Sequence, residues 1–242
     1  MIIPQLLQEL SYHSFYETNK FPFTILDNGA FEQEKLTHHT TEDLYTLARV
    51  LNATHLVMPD DINCNDKDPL STFKQQIVDL PDNLIPVYVV HSIDAKRYAY
   101  RALEALHYQR TSARPITIAL PSICLRRFNT TSVFYPEYLR YHALITLCGL
   151  WQAKFGAEKI PHLHLFGAIS LKEIALCIKV LTSVTDVVTF DSSDPVRIAS
   201  SWTTKDPFSL PISWELLRDR INKEVTRYDE VAQRLNLNTF TG

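Results

Sequence analysis

Val187-Val188-Thr189-Phe190-Asp191-Ser192-Ser193-Asp194-Pro195-Val196-Arg197 is the stretch from which the rest of the chain can be read. Its first four residues are β-branched or apolar and follow a helical segment ending near Ser183, which predicts a short buried strand. A carboxylate, Asp191, stands where the strand runs out, and a Ser/Ser/Asp/Pro turn follows. In a parallel α/β protein the C-terminal ends of the strands surround the pocket, so this is where a catalytic side chain is expected. A capping aspartate would look the same, and what separates the two readings is whether other strands end alike.

Several do. Phe21 to Leu26 predicts a first strand, closed by Asp27-Asn28-Gly29-Ala30-Phe31-Glu32, and His55 to Met58 a second, stopping at Pro59-Asp60-Asp61. Ile85 to Val90 is an apolar run closed by His91-Ser92, and Ile116 to Leu120 is followed by Pro121-Ser122. His162 to Phe166 ends at Gly167-Ala168. Between them the spacing of apolar residues predicts helices over Thr41–Leu51 (capped by Thr40 or Thr41), Pro69–Leu80 and Asp94–Gln109. Further helices are expected over Pro136–Lys154, over Leu171–Leu181 with a Ser170/Glu173 capping box, and over Trp214–Leu235. Met1 to Lys20 reads as a polar-aromatic lead-in with a short helix over Leu6, Leu7 and Leu10.

Strand then helix recurring at about 30 residues argues for βαβ units around a parallel sheet. The expected architecture is a single domain over residues 1–242, a (β/α)8 TIM-type barrel with degenerate strands near the termini; an open doubly wound sheet is the alternative. The length of 242 residues suits one such domain.

Composition narrows the function classes. With 45% hydrophobic and 21% charged residues the chain can fill a core, and a net charge of −3 argues against a generally basic nucleic-acid coat while allowing a local basic patch. Cys64, Cys124, Cys148 and Cys177 have no paired spacing, so reduced thiols are expected instead of a disulfide framework or a zinc site. No apolar run has the length of a membrane span and no signal pattern opens the chain, so a cytoplasmic protein without membrane attachment is expected, in the host cytoplasm if phage-encoded.

Asp27, Asp60 or Asp61, and Asp191 thus follow successive apolar strands. Carboxylates gathered in a partly desolvated cleft raise one another's pKa, which suits one acting as nucleophile and another as proton donor or acceptor. Such pairs also suit cleavage of a glycosidic bond through an oxocarbenium-like transition state. His162 and His164 put two imidazoles on one strand face, a metal-site spacing. Because Leu165-Phe166-Gly167 are expected to continue the strand beyond them, they are placed toward the wrong end of the barrel, and no metal is expected.

The segments carrying these residues resemble those of the tRNA-guanine transglycosylase superfamily, enzymes that exchange guanine for a 7-deazaguanine. Asp27-Asn28-Gly29-Ala30-Phe31-Glu32 resembles that family's Asp-Ser-Gly-Gly-Phe-Gln, and Val57-Met58-Pro59-Asp60-Asp61 resembles its base-recognising segment. Leu163-His164-Leu165-Phe166-Gly167-Ala168 resembles Tyr-Leu-Met-Gly-Val-Gly. Phe190-Asp191, with Pro195 and Arg197 following, resembles the nucleophile motif Phe-Asp-Cys-x-x-Pro-Thr-Arg. Order and rough spacing agree from about Phe21 to Ser200.

The resemblance implies roles. Asp191 would attack the ribose anomeric carbon, and Asp27 would be the general acid/base that takes the proton of the incoming base. Phe31 would stack on the base, within a pocket to which Gly29 and Phe166 belong, and Asp60 or Asp61 would accept its hydrogen bonds. Asp60 is favoured because it directly follows Pro59, although counting from Val57 selects Asp61. Gly167 would keep the pocket floor bare; His91 and Ser122 fall where the family contacts the base. Arg197 would hold a backbone phosphate, with Arg126, Arg127, Lys96, Arg97 and Arg101 as further phosphate candidates.

The family's C-terminal zinc-binding cluster is missing and the chain is shorter than the tRNA enzymes. The closest resemblance is to the reduced phage and bacterial members that insert 7-deazaguanines into DNA, with DNA favoured over tRNA. Such an enzyme must flip its target base out of the duplex, at a cost of about a few kcal/mol. No cofactor is expected, and a partner protein or a homodimer is compatible with the sequence. Three alternatives stand beside it: a tRNA-guanine transglycosylase, an N-glycosidase in which water replaces the incoming base, and a non-catalytic nucleobase- or nucleotide-binding barrel.

Overall fold

A computed structural model describes residues 2, 4, 16, 23–29, 40–92, 94–122, 136–168 and 171–191. Most of the lead-in, Phe31, Arg126, Arg127, Arg197 and the helix expected over Trp214–Leu235 lie outside these residues. Strands and helices alternate: β1 (Ile25–Leu26), α1 (Thr41–Val50), β2 (His55–Val57), α2 (Pro69–Gln76), β3 (Ile85–Val89), α3 (Ala95–Thr111), β4 (Thr117–Ala119), α4 (Pro136–Phe155), β5 (Leu163–Leu165), α5 (Leu171–Leu181) and β6 (Val188–Phe190). The six strands form one parallel sheet in sequence order, as expected when each strand is followed by a helix long enough to return the chain to the same end.

The named strands are shorter than the apolar runs suggested, but backbone contact continues one residue further. Met58 N donates to Val87 O at 3.1 Å, Val90 N to Ala119 O at 3.0 Å, and Phe166 N to Leu120 O at 3.2 Å. Ile2 forms an isolated parallel bridge to Leu26 on the outer edge of β1, where a degenerate terminal strand was expected. Ile2 N donates to Ile25 O at 2.7 Å, and Ile2 O accepts from Asp27 N at 2.8 Å.

The pleat sorts side chains between two faces. Leu26, Leu56, Met58, Tyr88, Val90, Ile118, Leu120, Leu163 and Leu165 share the main core with Leu44, Phe73, Tyr98, Leu106, Leu144, Trp151 and Cys177 from the covering helices. Ile25, Val57, Val87, Val89, Ala119 and Phe166 form a separate buried cluster on the other face. Such two-sided burial is characteristic of parallel sheets.

The sheet is curled, a half-barrel of six strands. In a flat sheet, four spacings of about 4.8 Å would put β1 roughly 19 Å from β5. Yet the ring of Phe23, just before β1, stands 5.9 Å from His162 and 6.4 Å from His164 at β5, as well as 4.4 Å from His55 on β2. Only curvature brings those side chains together across the concave face.

Helix starts follow local chemistry. Thr40 caps α1 in a reciprocal capping box with Asp43. Asp68 accepts from Ser71 N ahead of Pro69 in α2, and Asp94 accepts from Arg97 N at 2.7 Å to start α3. These caps fix where each strand-to-helix loop ends, and so where the residues of the C-terminal rim stand.

Candidate active site

Two carboxylate centres occupy the C-terminal rim. The first lies over β1–β3, with Asp60 as its hub. Asp60 Oδ1 accepts from Asn28 Nδ2 at 2.7 Å, while Asn28 Nδ2 also donates to Met58 O at 2.8 Å. Asp60 Oδ2 is bonded to His91 Nε2, and both side chains are largely buried. Asp60 therefore ties together residues that follow three neighbouring strands. Asp27 lies beside this hub and accepts from Asn28 N at 2.8 Å; Gly29 follows with φ +69°, a left-handed conformation that glycine adopts without strain.

Asp61 turns the other way, into its own loop. It accepts from Asn63 N at 3.0 Å and from Asp66 N at 2.7 Å. Arg101 is also engaged, donating to His91 O at 2.7 Å and Asp66 O at 3.2 Å, so its guanidinium braces the loop where the sequence suggested phosphate binding. Lys96 and Arg97 are exposed on the first turn of α3. A cavity of about 210 Å³ adjoins Asp60 and His91, lined also by Cys64, Phe73, Gln76 and Tyr88.

The second centre lies over β4–β6, around Asp191. Asp191 Oδ1 accepts from Gly167 N at 3.0 Å and contacts His164 Nε2 at 3.2 Å. Ala168 N donates to Asp191 O at 3.0 Å, fixing the backbone as well. Ser122 donates to Gly167 O at 2.9 Å, which joins β4's exit to β5's. Gly167 has φ +57°, and a Cβ built there would meet no described residue within 4 Å. Phe166 meets the His164 ring edge-on, with centroids 4.7 Å apart.

His164 corrects the sequence reading. It was expected toward the far end of the barrel, on the view that the strand ran on through Gly167. β5 stops at Leu165 and Phe166–Gly167 make a turn, so the imidazole reaches Asp191 directly. The two imidazoles do share a face: His164 Nδ1 lies 2.8 Å and His162 Nε2 2.9 Å from the same hydroxyl, Thr189 Oγ1. Among the described residues, no group of three or more His, Cys, Asp or Glu side chains is arranged to hold a metal ion.

Burial lowers the pKa of His164, although the Asp191 carboxylate pulls it upward. Burial and then neighbouring His164 lower His162, and burial followed by the other two imidazoles takes His55 to about 4. The three rings are therefore neutral near pH 7.

Below this centre Arg140 and Glu173 form an ion pair with no solvent exposure, Nη2 to Oε1 2.8 Å. Arg140 Nη1 donates to Leu120 O at 2.8 Å and Phe166 O at 2.6 Å, clamping the ends of β4 and β5 from α4. Burial works most strongly against the guanidinium's charge, but Glu173, Cys177, Tyr98 and Asp191 together more than offset it. Arg140, Thr189 and Asn28 are the site-supporting residues that the sequence reading missed.

Among the expected site residues, the geometry joins Asp191, Gly167, Ser122 and Phe166 in one group, and Asp60 and His91 in another beside Asp27. Comparison with protein-family models and with curated proteins returned no match to this chain.

Proposed function

We propose that the chain is a base-exchange enzyme that replaces guanine in DNA by a 7-deazaguanine base, with the curled sheet closing into a (β/α)8 barrel. The observation that carries this reading is the setting of Asp191. One of its oxygens is held by two N–H groups beside a bare glycine peptide, at the exit of a parallel strand. The alternation of the pleat supports a shared mouth. Asp27 continues the inward row of Ile25, and Asp191 that of Thr189.

In this mechanism a carboxylate oxygen of Asp191 bonds to C1′ of the flipped nucleotide as the C1′–N9 bond breaks, the electron pair leaving on N9. The acid form of Asp27 gives its proton to the departing guanine. Asp27 then takes the N9 proton of the incoming base as that nitrogen attacks C1′ and expels the Asp191 carboxylate, restoring both groups. Phe31 and the Asp60 centre would bind the base, and Arg197, Arg126 and Arg127 the strand's phosphates.

The test is to incubate the protein with guanine-containing DNA or tRNA plus labelled guanine or 7-deazaguanine. Label entering DNA is expected with the native chain and none with Asp191→Asn. Label entering tRNA alone would select the tRNA enzyme, and free guanine released without incorporation an N-glycosidase. Full activity in the Asn variant would refute the nucleophile, and no exchange or release by the native chain would leave a nucleobase-binding barrel.

A further inference from the structure

We infer that His164 is a positioning residue that, set by a His162–Thr189 hydrogen-bond chain, pins Asp191 Oδ1 and presents Oδ2 for attack. The inference rests on the base-exchange reading for its chemistry, but the bonding pattern itself can be measured independently.

The direction of the chain follows from counting hydrogens. A carboxylate accepts only, so the 3.2 Å contact to Asp191 Oδ1 needs a hydrogen on His164 Nε2. His164 is 2% exposed, and burial keeps the ring neutral, so its Nδ1 has no hydrogen and must accept. Among the described residues the group that meets that nitrogen is the Thr189 hydroxyl at 2.8 Å, which therefore donates to it. Thr189 Oγ1 is then left to accept from His162 Nε2–H at 2.9 Å. Each of the three bonds requires the next, and together they select one tautomer of His164.

The consequence falls on Asp191. Both donors that reach its side chain, Gly167 N and His164 Nε2, meet Oδ1. Among the described residues nothing is bonded to Oδ2. A carboxylate with both oxygens bonded would be a poorer nucleophile, and one with neither would rotate about its terminal torsion. Holding one oxygen fixes the plane and leaves the other free, the kind of preorganisation that keeps a reacting atom within attack geometry.

Two measurements decide this. Nitrogen-15 NMR of the full chain should show His164 as the neutral Nε2–H tautomer at pH 7, perturbed by Asp191→Asn. Thr189→Val should disturb it too, whereas Thr189→Ser should leave it unchanged. In the exchange assay His164→Leu should lower kcat by about a hundredfold with KM nearly constant, the size of effect seen when one preorganised donor is removed. His164→Gln, which carries an N–H donor on a side chain of similar reach, should recover kcat to within about threefold of the native value. An Nδ1–H tautomer or a charged ring would overturn the inference even if base exchange is confirmed. So would an active His164→Leu variant, or a Gln variant as poor as Leu in protein that unfolds at the native temperature. A native chain with no exchange but the expected spectrum would instead overturn the base-exchange chemistry while establishing the bonding pattern.

Discussion

Asp60, over β1–β3, and Asp191, over β4–β6, occupy comparable exits of the same parallel sheet and are bonded in opposite ways. Asp60 spends one oxygen on Asn28 and the other on His91. Asp191 takes both of its donors on one oxygen. The difference teaches how a carboxylate's task can be read from its partners. A saturated carboxylate organises the groups around it, and a half-saturated one is held in place with an atom to spare.

The sharpest way to break the comparison is to neutralise each carboxylate in turn. Asp191→Asn should reduce base exchange by at least about a thousandfold, as for loss of a nucleophile. Asp60→Asn should act mainly on KM, with kcat within about tenfold, because the amide keeps one acceptor oxygen for Asn28 and loses only the oxygen that meets His91. Steady-state kinetics on both variants checks this, and equal losses in kcat would erase the distinction.

The support beneath Asp191 should be the more expensive to remove. Arg140→Met would leave Glu173 buried without its counter-ion and free two strand-end carbonyls, at a cost of about 3–5 kcal/mol. Denaturant unfolding measures it, and adding Glu173→Leu to the same chain should restore much of the loss, since a buried pair replaced as a unit is often neutral.

A smaller effect is read from the pH dependence of stability. His55, held at about 4, takes up a proton in the unfolded chain near pH 6.5 but not in the folded one. The unfolded state then binds more protons, so stability falls as the pH is lowered from about 6.5 toward about 4. Lowered His162 and His164 act in the same direction. A series of melting temperatures should show a shallower acid decline for His55→Gln than for the native chain. An unchanged slope would mean that His55 is already open to water. The smallest change expected is Gly167→Ala, about 1 kcal/mol from the left-handed backbone alone, because its new methyl meets none of the described residues.

The alternation of elements was legible because each apolar run was closed by Asp, His, Ser or Gly, directly or after one Pro, and these endings mark real strand exits. What escaped was reach. His164 was dismissed on the supposed length of β5, and pattern alone cannot tell an apolar turn such as Phe166–Gly167 from more strand. Arg140 was invisible for another reason: a basic residue on a long helix reads as surface, and only the tertiary pairing with Glu173 turns it inward. Asp60 and Asp61 could not be told apart by register. The hydrogen bonds divide them, since Asp61 closes the loop that Asp60 opens.

Thr189 has a single hydroxyl hydrogen to give. At neutral pH it goes to His164, and acid that charges this ring would fill Nδ1 and turn the hydroxyl away, toward the Leu163 carbonyl 3.4 Å off. The methyl-bearing side chain of one small residue thus works as a rotor with two stops, and its setting records whether the imidazole beside it has picked up charge.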